Sequence, residues 1–166
     1  VKSAPAMFYG SNLNKINLED YNSSNLETIS HMFSNASIAN LNIGNFGGKL
    51  KSIDSAFSGF KTVSSDLSGF DLTGLNNLSY LFAGVTATSL NLSSFNTSNV
   101  ENMSSMFMDL PATDLNLGNF NTSKVSNMSS MFYNSKATSL DLSSFDTSSA
   151  SNVENMFRGS PATTGY

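Results

Sequence analysis

The chain has 166 residues, a formal net charge of −4 and only 12% charged residues, so it has the size of about one domain and little material for ion pairs. It contains no Cys, which excludes disulfides, thiolate metal sites and a cysteine nucleophile, and its single His, His31, excludes a histidine-rich metal centre. The few basic residues argue against nucleic-acid binding, and no apolar run reaches the roughly 20 residues of a membrane-spanning helix.

A repeat of about 25 residues runs along the chain. One Phe recurs as Phe8, Phe33, Phe57, Phe82, Phe107, Phe132 and Phe157, with successive spacings of 25, 24, 25, 25, 25 and 25 residues. The copy that is one residue shorter has lost that residue around Gly47 and Gly48. A fixed period of this length predicts a stack of similar units.

In chain order, residues 1–15 are predicted to be the end of a preceding unit, residues 16–157 to be six repeats, and residues 158–166 to be a truncated or capping unit. The whole chain, 1–166, is therefore interpreted as a single repeat domain. Because it begins with Val, we also expect it to be a mature or excised fragment of a longer protein.

Each repeat is predicted to contain a strand followed by a short helix. Apolar and polar residues alternate around Leu90–Leu92, as in a strand with one buried face. Val100, Met103, Met106 and Phe107 share one face of a helix, and the segments 24–27 and 98–101 fit a capping box at its start. Two residues beyond each recurrent Phe stands Gly, Asn or Asp, the residue types that tolerate a left-handed conformation.

Stacked units of this kind predict an α/β solenoid of about six 25-residue coils. A short parallel β-sheet would form one face, and the short helices would form the other. Such an arrangement buries apolar residues that an isolated copy cannot bury.

The segments 90–107, LNLSSFNTSNVENMSSMF, and 140–157, LDLSSFDTSSASNVENMF, resemble the roughly 25-residue bacterial surface-protein repeat related to the leucine-rich repeats of BspA-type proteins. The resemblance implies a right-handed, leucine-rich-repeat-like solenoid. It also implies an extracellular protein of the bacterial cell surface, anchored to wall or membrane through other parts. The family motif is structural, so it carries over no active site.

The polar residues beside the strand leucines are predicted to face outward and to form ladders along the stack. The candidate ligand-binding residues on this face are Asn42, Asp66, Ser89, Asn91, Asp114, Asn116, Ser139 and Asp141. Repeated amides, carboxylates and hydroxyls could bind an extended glycan or peptide. The alternative is that the column only hydrogen-bonds along the stack and stays solvated, since repeat identity produces such columns without any selection for binding.

Two further sets of residues complete the candidates. Asn and Asp residues such as Asn96 and Asp146, with the Ser or Thr after them, are predicted to form side-chain-capped turns. Tyr80, Met108 and Tyr133 occupy variable positions and are candidate interface residues, because aromatic and Met side chains are enriched at interfaces. Ordinary surface variation is the alternative for these three.

We therefore expect a non-enzymatic module with no catalytic residue, metal site or cofactor. Asp114 and Asp141 fall on adjacent copies, but nothing in the sequence indicates a pocket around them. The leading hypothesis is adhesion to a glycan or protein of a host or neighbouring cell, without nucleic-acid binding or membrane insertion. The alternatives are a passive spacer or stalk, and a homotypic module that promotes cell aggregation through self-association.

Overall fold

The computed structural model describes residues 1–87, 90–112, 115–138 and 140–161. It contains five short strands: β1 (Asn12–Asn17), β2 (Ser37–Asn42), β3 (Phe46–Gly47), β4 (Ser64–Asp66) and β5 (Phe70–Asp71). All pairing between them is parallel, in one sheet of order β1-β2-β4 and a second of order β3-β5. Isolated parallel bridges join further copies, for example Asn77 to Asn102 and Asn102 to Asn127.

The prediction of an α/β solenoid with short helices on one face is wrong. No helix occurs in the described residues, and the segments predicted to be helical are runs of turns. Within them, Met106 and Met108 donate to carbonyls three residues earlier, at 2.9–3.3 Å in equivalent copies. Each run also contains two residues at positive φ, such as Ser105 and Asp109, both at 55°.

The turn segments are not helical because alternate backbone N–H groups in each segment bond to the next copy. Met103, Ser105, Phe107 and Asp109 donate to the carbonyls of Asn127, Ser129, Met131 and Tyr133, at 2.8–2.9 Å. An α-helix would commit the same groups to carbonyls four residues earlier in the same segment. The apolar spacing of three, three and one therefore results from successive turns and not from a helical face.

The spacing between copies also excludes paired helices here. Rings of the recurrent Phe in successive copies are nearly parallel, with centroids 5.1–6.1 Å apart. Packed helices need about 8–10 Å between their axes. The two predicted capping boxes are absent as well, since the N–H groups of Glu27 and Glu101 donate to the carbonyls of Lys2 and Asn76 in the preceding copy, both at 2.7 Å.

The strands are fewer than predicted. β1, β2 and β4 each end at the Asn or Asp of the outward column, but the equivalent segments 90–92, 115–117 and 140–142 are not strands. Asn91 accepts the N–H of Ser93 at 3.1 Å, the same contact that Asn42 makes with the N–H of Gly44 at the end of β2. Leu90 and Leu92 are nevertheless buried, as predicted.

The core is a continuous apolar column that runs from copy to copy. The predicted burial of Met106 and Phe107 is confirmed, and both are fully enclosed. A second aromatic row, Tyr21, Phe46, Phe70 and Phe95, runs beside the recurrent Phe with centroid spacings of 6.1–6.3 Å. The predicted left-handed residues after the recurrent Phe are confirmed too, since Asn35, Asp109 and Asn134 have φ of 55°.

Candidate functional site

The outward column is aligned as the sequence predicted where strands pair. Asn17, Asn42 and Asp66 are direct partners in β1, β2 and β4, and so are Lys15, Asn40 and Ser64. Asn42 is half-buried, and Asp66, Asn91, Asn116 and Asp141 are exposed. The other three candidates, Ser89, Asp114 and Ser139, lie outside the described residues.

One side-chain oxygen of every described column residue is used within its own copy. It accepts a backbone N–H two residues later, at 2.9–3.1 Å, from Gly44 for Asn42, from Gly118 for Asn116 and from Ser143 for Asp141. Only the second oxygen or the amide nitrogen is left to meet a ligand. The second column, which includes Asn96 and Asp146, forms the predicted turns by the same contact.

Hydrogen bonds keep the carboxylates of these turns ionised. The hydroxyl of Thr73 donates to Asp71 at 2.6 Å and its N–H donates at 2.9 Å, and these bonds lower the pKa of Asp71 below its usual value. Hydrogen bonds from Ser68 and Ser143 lower the pKa of Asp66 and Asp141 in the same way. These groups are therefore negative at neutral pH.

A groove interrupts the repeated surface across three successive copies, between residues 19 and 71. We call it the glycine groove; its cavity volume is about 500 Å³. Its lining consists of Glu19, Asp20, Tyr21, Asn22, Ser23, Ser24, Asn45, Phe46, Gly47, Gly48, Gly69 and Asp71. An adjoining depression of about 200 Å³ is lined partly by Asn42 and Asp66, so two of the predicted ligand residues lie beside the groove.

Glycines lie in and beside this groove at positions where the backbones of successive copies touch. A Cβ on Gly44 would lie 2.6 Å from Glu19 Cα, and one on Gly47 would lie 2.6 Å from the carbonyl oxygen of Asp71. A Cβ on Gly69 would collide with the carbonyl oxygen of Gly44. Later copies carry Ser or Asn at several of these positions, for example Ser93 for Gly44 and Asn96 for Gly47.

The groove combines aromatic and acidic groups. Half-buried Tyr21 stacks on buried Phe46, with ring centroids 6.1 Å apart. Glu19, Asp20 and Asp71 are exposed around it. An aromatic ring beside carboxylates and amides can contact both the apolar and the hydroxyl-bearing faces of a polar ligand. The sequence reasoning missed this site, although the density of glycine between 44 and 48 was a usable signal.

The candidate interface residues do not line the glycine groove. Tyr80 is 46% exposed and lies in a turn at φ 59°, whereas Met108 and Tyr133 are half-buried. A separate side cavity of about 390 Å³ contains Leu13 and Val63, and Val63 is 81% exposed. The glycine groove, the side cavity and the turn that carries Tyr80 are therefore separate surfaces, which the sequence did not distinguish.

Neither metal ligation nor a membrane span is found in the described ranges. No group of three or more His, Asp or Glu side chains there could hold a metal ion, and no helix long and apolar enough to cross a membrane occurs there. His31 Nε2 lies 3.8 Å from Asp54 Oδ2, with both side chains about half exposed.

These features define a protein built from parallel-stacked repeats with a polar groove. The chain matches the family model described as "Mycoplasma protein of unknown function, DUF285" over residues 1–50 and again over 51–165. It therefore belongs to this family, which is consistent with a bacterial repeat protein. Comparison with curated proteins and with solved structures gave no match.

Proposed function

We propose that the chain is a non-catalytic binding module of a bacterial surface protein, and that the glycine groove holds a polar ligand such as a glycan of a host or neighbouring cell. The observation that carries the proposal is the groove itself. It is a concave part of the repeat surface that contains Tyr21 and Asp71, and the depression beside it contains the predicted ligand residues Asn42 and Asp66.

The chemistry of the groove supports binding rather than catalysis. The hydrogen-bonded carboxylates of Asp71 in the groove and of Asp66 in the adjoining depression have lowered pKa values, whereas a general acid at neutral pH needs a raised one. Ionised carboxylates and amide oxygens accept hydrogen bonds from sugar hydroxyls. The resemblance of segments 90–107 and 140–157 to BspA-type surface repeats supports a location at the cell surface.

The test is glycan-array and mucin binding by the 166-residue chain and by an Asp66→Asn/Asp71→Asn variant. Asn keeps the oxygen that accepts the turn N–H but removes the negative charge of Asp71 in the groove and of Asp66 in the adjoining depression. The matched control is Asp141→Asn/Asp146→Asn, which makes the same change at the same repeat positions outside the groove.

We expect the groove variant to bind about tenfold or more weakly, because a hydrogen bond to a charged group contributes about 1.5–3 kcal/mol. The control variant should bind like the unchanged chain. Equal loss in both variants would contradict a role for the groove, and absence of binding by the unchanged chain would contradict the ligand site.

A passive spacer is the second candidate. It is favoured by the use of one oxygen of each described column residue in its own turn, which leaves little of the column free for recognition. A spacer predicts that deleting one repeat changes only the reach of the parent protein. A binding module predicts that deleting the copies that form the glycine groove abolishes adhesion.

A further inference from the structure

The glycine groove and the depression beside it carry negative charge in their walls. The carboxylates of Glu19, Asp20 and Asp71 line the groove, and those of Glu19 and Asp66 line the depression. Among the described residues, no Lys, Arg or His lines either cavity. Both cavities are therefore acidic, and their walls contain no positive group to offset the charge.

The lysines closest to the groove along the chain do not pair with these acids. Lys49 Nζ donates to Asn25 Oδ1 at 3.2 Å, and Lys51 Nζ donates to Glu27 Oε2 at 2.8 Å. Lys15 lies on β1 and lines neither cavity. The negative charge of the groove is therefore available to a ligand.

Several acceptor atoms of the groove are free to bind a ligand. Within the described residues, the carboxylates of Glu19 and Asp20 have no hydrogen bond or ion pair. Asp71 Oδ1 accepts from Thr73, whereas Asp71 Oδ2 lies beside Gly48, 3.8 Å from where a Cβ would stand. Carboxylate oxygens accept hydrogen bonds and do not donate them, so they match a ligand that is rich in donors.

The groove also offers a few neutral donors. The hydroxyls of Ser23 and Ser24 donate within the protein, to the carbonyl of Asn45 at 3.1 Å and to Asn22 Oδ1 at 2.7 Å. The side-chain amide nitrogens of Asn22 and Asn45 have no acceptor within the described residues, so they can donate to a ligand. A ligand that matches both sets has cationic donors for the carboxylates and hydroxyl oxygens for the amides.

The acids are exposed on the side of the stack. Glu19, Asp20 and Asp71 are exposed, and so are Ser93 and Ser94, which stand at the repeat positions of Glu19 and Asp20 in an interior copy. Exposure at these positions is therefore a property of the side surface, and it does not depend on what adjoins either end of the stack.

We propose that the ligand of the glycine groove is a glycan with free amino groups, an oligosaccharide of hexosamine units that are not N-acetylated. This inference rests on the proposed function, because it names the ligand class of the same groove. Protonated amines bond to the carboxylates of Glu19, Asp20 and Asp71, and sugar hydroxyls accept from the amides of Asn22 and Asn45.

The charge and the donor set together favour an amino sugar over other ligands. A cleft lined by one sign of charge attracts the opposite charge, so the groove concentrates cations and repels acidic sugars. A lysine side chain carries its amine on an apolar stem, so it has no hydroxyl to pair with the amides of Asn22 and Asn45.

The test is isothermal titration calorimetry of the 166-residue chain with two matched oligosaccharides. They are a glucosamine tetramer, at a mildly acidic pH where its amines are protonated, and the N-acetylglucosamine tetramer, which is neutral. The glucosamine tetramer should bind about tenfold or more tightly, because hydrogen bonds between ionised groups are the stronger ones. Salt should reduce this difference, since the screening length falls from about 10 Å at 0.1 M to about 3 Å at 1 M.

A pair of variants places the charge effect in the groove. Glu19→Gln/Asp20→Asn removes two charges and keeps oxygens that accept hydrogen bonds, so it should weaken binding of the glucosamine tetramer about tenfold and leave the neutral tetramer nearly unchanged. The matched control, Glu101→Gln/Asp109→Asn, removes two charges at exposed positions outside both cavities. Asn134 already stands at the repeat position of Asp109, so the control keeps the fold. It should bind both tetramers like the unchanged chain.

Each contrary outcome has a distinct meaning. Equal affinity for the two tetramers would overturn the inference and leave the groove as a site for a neutral glycan, as the proposed function allows. Equal loss in the control variant would show that the net charge of the chain attracts the ligand, which would also overturn it. A lysine peptide of the same charge that binds as tightly as the glucosamine tetramer would overturn the choice of a sugar. Binding of neither tetramer would overturn the inference, and the glycan array separately decides whether another glycan binds.

Discussion

Replacement of Phe107 by Ala tests how much of the stability resides in the recurrent Phe column. The ring is fully buried between Phe82 and Phe132, with centroids 6.1 and 5.7 Å away, and it also meets Phe120 at 6.3 Å. Removing a buried Phe loses its transfer free energy and leaves a cavity, so we expect a loss of about 3–5 kcal/mol in the free energy of unfolding.

Phe157 offers a matched comparison at the end of the same column. Among the described residues its ring contacts that of Phe132 alone, and it is already partly exposed, so Phe157→Ala should cost roughly 1–2 kcal/mol. Urea denaturation followed by circular dichroism, at a protein concentration where the chain is monomeric, measures both values. Equal losses in the two variants, or a near-neutral Phe107→Ala, would refute the burial of Phe107 within a continuous column.

Three further predictions concern contacts between and within copies. Thr122→Val should lower the free energy of unfolding by about 1–3 kcal/mol, because the buried hydroxyl accepts the N–H of Asp146 and donates to its carbonyl. Thr147→Val, at the exposed equivalent position, should be nearly neutral. Thermal denaturation of the two variants measures the difference. Gly10→Ala has open space around the new Cβ but places Ala at φ of +62°, so it should lower the free energy of unfolding by about 1–2 kcal/mol. Gly69→Ala should lower it further, because the new Cβ would collide with the carbonyl oxygen of Gly44. Denaturation measures both values. Because the pKa of Asp71 is lowered by folding, its stabilising effect is complete above the unfolded value near 3.8 and is lost as the pH falls through the folded value. The melting temperature should therefore drop in acid, and it should drop less in Asp71→Asn. Equal dependence of the melting temperature on pH in the two chains would contradict this role of Asp71.

The repeat predicted the packing correctly but not the backbone conformation. Positions such as Leu90, Met106 and Phe107 had to be buried in any stack with a period of 25 residues, and they are. Whether the segment 100–109 is a helix depends on which carbonyl each N–H reaches, and side-chain spacing does not determine this. Successive turns bury the same side chains that a helix would bury. Every second N–H closes a turn within the segment, and the N–H groups between them bond to the next copy.

The candidate site was only partly predictable for a related reason. The repeat indicated the outward column, and the structure aligns Asn42 with Asp66 as expected. The glycine groove, in contrast, arises where Gly44, Gly47 and Gly69 bring backbones of successive copies together. The groove residues come from three copies and differ from the repeat consensus. An alignment of the copies shows what they share, so it did not predict a site built from their differences.

The central claim is that the turn segments are bonded to one another across copies instead of forming helices. Scalar couplings across hydrogen bonds, measured by NMR on labelled protein, test it directly. The amide nitrogen of Phe107 should couple to the carbonyl carbon of Met131, which lies 24 residues later and accepts its N–H at 2.9 Å. Coupling of that nitrogen to the carbonyl carbon of Met103, four residues earlier, would indicate a helix and contradict the account.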